Sequence, residues 1–523
     1  MIALVRTMQI PAEGEEAPIE WFGRAAISGY AVRRIKIFMS ALWAALLILF
    51  AGVAHVLLMP EKNAGEHFAR AGRRRPDILD RRGNPMTMNL VSYDLWINPR
   101  QMADTGNIAL LAGITPVPPV PEDGRRIRVQ RNMKPEAADM IMFLGEPGFE
   151  LEKTSAREYP DPMFAHILGS TDVDNRGMEG IEKYIDDNGL EAEREIRLSI
   201  DSYVQEVAHR RLGQAMAEMK ALFAAGIVMD SKTGEILALV SLPDWPGGRN
   251  PKADKKYNNH AVLDVFELGS VMKIFNHALA IESGYPADRT FNVARPFMVG
   301  GYRVRDSHPP KNVINMDEAF AYSSNIASAM IARDLGPELQ AGFFARLGFK
   351  NKMPFELPER GSPLWPKKWT EHTNSTAAYG YGVSISMLHF IAAANAILND
   401  GMYVPPTILK RASPPEIRQV VKIETSREIK RLMKKVMDEG TGQRLGLRGS
   451  DVGGKTGTAQ KLGPDGTYRD DRMRTFFFGA YPIDNPRITF VVMLDEADNN
   501  GCALASCTAA AAGTEIIREL REP

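Results

Sequence analysis

The order of apolar and polar residues predicts the main elements of the C-terminal half of the chain. Between residues 200 and 222 the apolar positions recur at helical spacing, which predicts a long amphipathic helix. The apolar segments 225–230 and 235–240 flank the turn Ser231-Lys232-Thr233-Gly234 and predict a β-hairpin. We expect the helix to lead into a domain that begins with this hairpin.

A similar pattern closes the chain. Residues 475–480 and 487–494 flank a proline-containing turn and predict a second hairpin, and the alanine-rich segment after it predicts a terminal helix. Strands at both ends with helices between them predict a mixed sheet covered by helices, an α+β arrangement. Upstream, the segment that starts at Asp77 predicts a strand, a turn and a second strand at the beginning of a folded domain.

The longest uncharged stretch lies near the N-terminus. Ile37 to Met59 are 23 residues without a charge, which is long enough for a helix that spans a bilayer. The stretch closes on Val56-Leu57-Leu58-Met59-Pro60 instead of small residues, and this favours an uncleaved anchor over a signal peptide. Basic residues flank both ends, so charge alone does not fix the orientation.

Length and composition set further bounds. A chain of 523 residues exceeds one hydrophobic core, so at least two domains are expected. Lys+Arg and Asp+Glu total 64 each, and this balance argues against a nucleic-acid partner. Cys502 and Cys507 are the only cysteines, too few for a zinc site, and we expect two unpaired thiols in preference to a bridge. We expect no metal and no cofactor.

Three short motifs carry the chemistry of the chain. They are, in order, Ser270-Val271-Met272-Lys273, Ser323-Ser324-Asn325 and Lys455-Thr456-Gly457-Thr458. Each is weak alone, because short patterns of common residues recur by chance. Their order, spacing and local context agree with one another, and together they predict an acylating serine centre.

The first motif supplies a nucleophile and a base. A serine hydroxyl needs a neighbour that accepts its proton, and Lys273 lies on the same helical face as Ser270. A free amine requires that the lysine pKa falls well below its usual ~10.4, through burial and a second cation such as Lys455. The structural alternative is an ordinary helix start with a surface lysine.

The second motif has two interpretations. Ser323 can relay a proton to a leaving amine, and Asn325 can offer its amide to a substrate. Serine and asparagine are also favoured at helix N-caps, and by itself the segment is better explained as a cap.

The third motif predicts a strand that another backbone approaches closely, because Gly457 has no side chain. The side chains of Lys455, Thr456 and Thr458 would bind a carboxylate, and a backbone N–H near Thr458 would stabilise an oxyanion. The same tripeptide occurs at residues 232–234, where turn chemistry explains it.

These motifs, in this order, resemble those of the penicillin-recognising acyl-serine transferases. Within that superfamily the chain is similar to the class B penicillin-binding proteins, most of all to the division-specific transpeptidases. Four further stretches support the resemblance: Asp80-Arg81-Arg82-Gly83, Gly177-Met178-Glu179-Gly180-Ile181-Glu182, Asn258-Asn259-His260-Ala261-Val262 and Tyr379-Gly380-Tyr381-Gly382. Departures from the family pattern are Pro76, Leu268, the segment 386–389 and the segment around Cys507; they affect supporting residues and spare the reacting groups.

The resemblance implies an α+β multidomain protein with one N-terminal transmembrane helix, a mixed pedestal domain and a transpeptidase domain of mainly antiparallel sheet covered by helices. The expected boundaries are a cytoplasmic tail at 1–36, the transmembrane helix at 37–59, the pedestal at 60–220 and the transpeptidase domain at 221–523. The catalytic domain would lie in the periplasm, with the anchor in the cell inner membrane.

The resemblance also implies substrates and partners. The donor would be the D-Ala-D-Ala end of a peptidoglycan stem peptide, the acceptor an amine of a second stem, and β-lactams would acylate Ser270. A membrane glycan polymerase of the SEDS family and other divisome proteins are the expected partners. A catalytically silent scaffold and a membrane-tethered β-lactamase or β-lactam sensor remain as alternatives. The polar segment 461–474 is interpreted as a flexible, solvated loop, with gating of the cleft or contact with glycan as the alternative.

Overall fold

The computed structural model describes residues 74–245, 254–307 and 309–521, together with Ile37, residues 39–45 and Leu47. These described positions between 37 and 47 are helical and belong to a separate unit of the chain. Most of the predicted anchor at 37–59 lies outside the described residues. Within the described part, no helix has the length and apolar character needed to cross a membrane.

Helices occur in the described residues on both sides of the predicted domain boundary near residue 220. They are α1 Asn107–Ala112, α2 Pro135–Phe143, α3 Ala165–Leu168, α4 Gly180–Asp187, α5 Ser202–Glu218, α6 Lys273–Glu282, α7 Met316–Ala321, α8 Asn325–Leu335, α9 Pro337–Arg346, α10 Glu371–Ala378, α11 Met387–Leu398, α12 Ile423–Asp438 and α13 Ala509–Arg521.

Strands alternate with these helices along the chain. They are β1 Asp77–Leu79, β2 Met88–Ile97, β3 Ile127–Met133, β4 Phe149–Glu158, β5 Glu195–Arg197, β6 Phe223–Asp230, β7 Ile236–Leu242, β8 Thr290–Asn292, β9 Phe297–Val299, β10 Tyr302–Val304, β11 Val313–Asn315, β12 Met402–Tyr403, β13 Arg418–Gln419, β14 Gly453–Leu462, β15 Tyr468–Tyr481 and β16 Ile488–Asp495.

The largest sheet is antiparallel throughout, with the strand order β14-β15-β16-β6-β7. The two predicted hairpins, β6–β7 and β15–β16, meet at its centre and are confirmed. Alternate residues of a strand point to opposite sides of the sheet, and on this sheet both sides are covered by apolar packing. Phe476 and Phe478 join one hydrophobic cluster and Phe477 joins another.

The predicted amphipathic helix is confirmed as α5. The carboxylate of Asp201 caps its N-terminus by accepting hydrogen bonds from the backbone N–H groups of Tyr203 and Val204. Its apolar face, which includes Val207 and Leu212, packs with α13 in the cluster that contains Phe477. The helix therefore covers the face of the large sheet opposite the cluster of Phe476 and Phe478.

A smaller sheet with the order β3-β2-β4 lies in the N-terminal part of the described chain. It has its own hydrophobic cluster, which includes Leu95 and Ile97 of β2 and Ile141 of α2. This core is distinct from the clusters of the large sheet, as expected for a long chain. The boundary near residue 220 stays a prediction.

A buried ion cluster holds the start of the described chain against α4. Glu182 has no exposed side-chain surface; its carboxylate accepts from Arg75 Nε at 2.7 Å and from Arg157 Nε at 2.6 Å. Arg75 Nη2 also donates to the backbone carbonyl of Glu182. Glu182 thus pairs with two buried guanidinium groups, and Asp186 gives Arg75 a second carboxylate at 2.7 Å, as expected because buried charges are stable only when they are paired.

The interpretation of residues 461–474 as a flexible loop is wrong. Strands β14 and β15 extend through most of this segment as a hairpin, with a short turn in which Gly463 N–H donates to the Thr467 carbonyl. Lys461 forms ion pairs with Asp495 and Glu496, at 2.6 and 2.5 Å. The segment looked loop-like because it is polar, but an exposed hairpin needs only backbone pairing and no apolar face.

The expectation of two unpaired thiols is also wrong. Cys502 and Cys507 form a disulfide, with their Cα atoms 6.1 Å apart. The bridge closes a short loop between β16 and α13. Spacing along the chain could not reveal it, because the turn that brings the two thiols together is made by tertiary contacts of the loop.

We predict that Glu182→Ala lowers the free energy of unfolding by about 3–5 kcal/mol, because it removes the carboxylate that pairs with the buried Arg157 and one of the two carboxylates that pair with Arg75. Urea denaturation followed by circular dichroism measures this change. Glu195→Ala is the matched control: Glu195 pairs with Arg197, both side chains are 46% exposed, and the expected loss is below about 1 kcal/mol. Equal losses in the two variants would contradict the interpretation.

Candidate active site

The first motif lies at a helix start, as predicted. Residues Gly269–Met272 form one turn of 3-10 helix, and α6 continues from Lys273. Lys273 Nζ is 2.8 Å from Ser270 Oγ, so the amine and the hydroxyl are in direct hydrogen-bond contact. The surface-lysine alternative is excluded, since the side chain of Lys273 is fully buried.

The contacts of Lys273 are compatible with its neutral form. Besides Ser270, Nζ lies 2.6 Å from the Ser323 carbonyl, 2.7 Å from Asn325 Oδ1 and 3.1 Å from Ser323 Oγ. An ammonium has three N–H donors for these four oxygens. A neutral amine can donate to the carbonyl of Ser323 and to the amide of Asn325, which only accept, and keep its lone pair for the Ser270 hydroxyl.

Electrostatics favour the same state. Burial lowers the pKa of Lys273 well below its usual value, and the nearby charge of Lys455 lowers it further, while Asp306 acts in the opposite direction. The two causes expected from the sequence, burial and Lys455, are the two found. The buried amine is therefore neutral more readily than an exposed lysine, as a general base requires.

The three residues of the second motif have different structural roles. Ser323 has a left-handed backbone with φ +61°, an uncommon conformation for serine. Ser324 is the N-cap of α8 and accepts from the Ala327 N–H. Asn325 is the first residue of α8. The cap interpretation is thus right for Ser324, and the turn that it makes directs Ser323 and Asn325 toward Lys273.

Asp306 supports this turn from outside the motif. Its Oδ1 accepts from the backbone N–H groups of Asn325 and Ile326, at 2.6 and 3.0 Å, and its Oδ2 accepts from Ser324 Oγ at 2.6 Å. The carboxylate therefore satisfies the free N–H groups at the start of α8. Sequence reasoning missed this residue, because it lies 18 positions before Ser324 and no local pattern links the two.

The third motif lies on β14, the edge strand of the large sheet. Strand alternation directs Lys455 and Gly457 to one face and Thr456 and Thr458 to the other. Lys455 is fully buried, and its Nζ donates to Ser323 Oγ at 2.9 Å and to the Thr456 carbonyl at 3.1 Å. Burial lowers the pKa of Lys455 to about 7.

Gly457 allows the nucleophile segment to approach the strand, as predicted. A Cβ atom at this position would lie 2.9 Å from the Leu268 carbonyl oxygen and 3.1 Å from the Val271 nitrogen. Gly269 has the complementary role: its φ is +59°, and a Cβ there would lie 2.5 Å from the Thr458 carbonyl oxygen. Two glycines on facing segments therefore set the distance between Ser270 and β14.

The threonines of the third motif have partners that the sequence did not indicate. The Thr456 hydroxyl is 2.7 Å from the Thr441 hydroxyl, and Thr458 Oγ1 accepts from the Ala505 N–H at 3.1 Å. Both partners come from distant parts of the chain. The other Lys-Thr-Gly tripeptide, at 232–234, forms the β6–β7 turn, where Asp230 accepts from the N–H groups of Lys232 and Thr233.

The site therefore contains a serine hydroxyl beside a buried amine, a second hydroxyl that contacts two lysines, and a strand whose backbone borders the serine. This arrangement can deprotonate a nucleophilic serine and return a proton to a leaving group.

A family comparison agrees with this chemistry. The sequence model of the penicillin binding protein transpeptidase domain matches residues 224–516, more than half of the 523-residue chain. The chain belongs to this family. The match includes all three motifs of this penicillin-binding protein and every strand of its large sheet except the first residue of β6.

Curated relatives extend the similarity toward the N-terminus. The chain is 32% identical over 475 residues to the probable peptidoglycan D,D-transpeptidase FtsI of Caulobacter vibrioides, which covers 85% of this chain and 80% of the relative. It is 30% identical to the probable peptidoglycan D,D-transpeptidase PenA of Neisseria meningitidis, over 82% of this chain and 81% of the relative. The resemblance to class B proteins of the FtsI type is confirmed.

A more distant relative and a solved structure are also similar to this chain. The peptidoglycan D,D-transpeptidase FtsI of Escherichia coli strain K12 is 27% identical, with 80% of this chain and 78% of the relative covered. The crystal structure of penicillin binding protein 3 from Mycobacterium tuberculosis in complex with aztreonam superposes with a TM-score of 0.68 at 23% identity, over 86% of this chain and 96% of that chain. At this identity the structure supports the fold.

We predict that Gly457→Ala slows acylation of Ser270 by about 10²-fold, because the new Cβ would displace the nucleophile segment from β14. Acylation rates with a fluorescent penicillin measure the effect. Gly213→Ala is the control: its Cβ would meet only Leu242 Cδ1 at 3.8 Å, so the rate should not change. A Gly457→Ala protein that is folded and acylates at the wild-type rate would contradict the prediction.

The pKa of Lys455 predicts a pH dependence of stability. Its folded-state pKa of about 7 is below the usual 10.5, so between these values the unfolded chain binds more protons than the folded chain. Stability from this group therefore rises with pH across this window, by up to about 1.4 kcal/mol per pH unit. Lys455→Met should flatten the rise in a urea-denaturation series from pH 7 to 10. Lys183→Met, an exposed lysine variant, should leave the slope unchanged.

Proposed function

We propose that this penicillin-binding protein is a serine-type peptidoglycan D,D-transpeptidase of the division type, which crosslinks stem peptides during septal wall synthesis. The observation that carries the proposal is the buried Lys273 amine, 2.8 Å from Ser270 Oγ and in contact with Ser323. The names of the FtsI and PenA relatives, both probable peptidoglycan D,D-transpeptidases, support the reaction and the substrate class.

In the acylation step, Ser270 is the nucleophile and Lys273 is its general base. Lys273 takes the hydroxyl proton as Ser270 Oγ attacks the carbonyl carbon of the penultimate D-alanine. The C–N bond to the terminal D-alanine then breaks, and its amine receives the proton through Ser323, whose hydroxyl contacts both Lys273 and Lys455. The products are free D-alanine and an ester on Ser270.

In the second step, an amine from a neighbouring stem peptide attacks the ester carbonyl. The amine loses its proton to Lys273 by way of Ser323, and the proton returns to Ser270 Oγ as the ester bond breaks. A new amide joins the two stems. Asn325 has two roles in this proposal. Its Oδ1 accepts from Lys273, and its Nδ2, which donates one hydrogen to the Arg305 carbonyl at 3.2 Å, offers its second hydrogen to the donor peptide.

The donor is held by the third motif. Lys455, Thr456 and Thr458 bind its carboxylate, and the backbone N–H near Thr458 stabilises the oxyanion, while Gly457 keeps the strand close to Ser270. β-Lactams mimic the donor and acylate Ser270. Support for this assignment comes from the close approach of β14 to the 3-10 turn of Ser270.

The chain is proposed to be a single-pass protein of the cell inner membrane, with its catalytic domain in the periplasm. The uncharged stretch from Ile37 to Met59 supports the anchor, and the Cys502–Cys507 disulfide supports an oxidising compartment. We propose that residues 60–220 form a pedestal that engages a SEDS-family glycan polymerase and other divisome proteins.

We predict that full-length protein incubated with a fluorescent penicillin carries a stable adduct on Ser270, because the site can acylate but no rapid deacylation is expected. Gel fluorescence and peptide mass spectrometry detect the adduct, and Ser270→Ala should abolish it. Folded protein that leaves the drug intact and unbound would favour a silent scaffold, and rapid hydrolysis of the drug would favour a β-lactamase.

A further inference from the structure

The disulfide-closed loop contacts the active-site strand directly. Cys502 and Cys507 close the loop, and within it Ala505 donates its backbone N–H to Thr458 Oγ1 at 3.1 Å. Ala505 is 2% exposed, so this N–H has little access to water as an alternative partner. Thr458 itself is partly exposed at the edge strand.

The loop forms hydrogen bonds with β14, which carries the third motif, and with the neighbouring strand β15. Thr508, the residue after Cys507, donates its hydroxyl to Thr475 Oγ1 at 2.9 Å, and Thr475 is the direct partner of Thr458 in the β14–β15 register. Asn499 donates its side-chain amide to the Cys507 carbonyl at 2.8 Å. These contacts hold the two ends of the loop, and the disulfide restrains the residues between them.

The contact with Ala505 determines how the Thr458 hydroxyl can be used. Thr458 Oγ1 accepts from Ala505, so the oxygen is fixed and the side chain can still donate its one hydroxyl hydrogen. The Thr458 hydroxyl can therefore donate this hydrogen to an anionic group in the cleft. Without the contact, the hydroxyl could turn toward its own backbone, as threonine commonly does.

We propose that the loop closed by Cys502 and Cys507 is a positioning element for Thr458, which fixes the threonine hydroxyl as a hydrogen-bond donor to the carboxylate of the donor peptide or of a β-lactam. This inference rests on the proposed function. The disulfide matters because residues 503–506 form a short loop of small side chains around a half-exposed Leu504, with little apolar burial to order it. Opening the bridge would increase the freedom of Ala505 and loosen its hold on Thr458.

The test uses the full-length chain and three variants: Cys502→Ser with Cys507→Ser, Thr458→Val, and the combination of all three substitutions. The second-order rate constant for acylation by a fluorescent penicillin is measured for each. We expect the paired serine variant to be slower than wild type by about five-fold, as for the loss of one hydrogen bond. In the Thr458→Val background the serine substitutions should cause no further loss, since the group that they position is absent.

Reduction provides a matched control without mutation. A dithiol such as dithiothreitol transfers two electrons and two protons to the bridge, leaves two thiols and becomes a cyclic disulfide. The reductant should slow acylation of the wild-type protein by the same factor and should not change the rate of the paired serine variant. Slowing of both proteins, or of neither, would overturn the proposal.

Amide hydrogen exchange tests the contact independently of activity. The Ala505 amide should exchange faster in Thr458→Val and in the paired serine variant than in wild type. Independent rate losses that multiply in the combined variant, or unchanged exchange at Ala505, would refute the positioning role. If wild-type protein forms no adduct at Ser270, the proposed function fails, and the exchange data still decide whether the loop holds Thr458.

Discussion

Two buried lysine amines that share one serine hydroxyl are the constraint on which the site depends. Lys273 and Lys455 are both fully buried, and each lies within hydrogen-bond distance of Ser323 Oγ. Two ammonium groups in this environment would repel each other and would lack the solvation of water. Burial lowers the pKa of both lysines, and the charge of Lys455 lowers that of Lys273 further, which allows both amines to exchange protons through Ser323.

The rest of the domain keeps this group of residues together. Each motif arrives on a different element: a 3-10 turn before α6, the turn before α8, and the edge strand β14. An edge strand is suited to this task, because one side pairs with β15 and the other borders the nucleophile segment. Glycines at 269 and 457 set the spacing, and helices behind the sheet exclude water from the amines.

Supporting contacts come from residues outside the motifs. Asp306 caps α8 and holds the turn of Ser323, Thr441 contacts Thr456, and the disulfide loop contacts Thr458 through Ala505. Asn325, Thr456 and Thr458 thus each have a hydrogen-bond partner outside their own motif.

The sequence by itself determined the elements and the reacting groups. Local periodicity predicted α5, the hairpins β6–β7 and β15–β16, and α13, and the motifs identified Ser270, Lys273 and Lys455, because these signals lie in short segments. Only the tertiary structure decided that Asp306 and Ala505 support the site, that Cys502 pairs with Cys507, and that residues 461–474 form a hairpin. The contacts of Asp306 and Ala505 join segments that are separated in the chain, the disulfide depends on the folded conformation of its short loop, and the hairpin needs only backbone pairing. None of these leaves a periodic trace in the residues themselves.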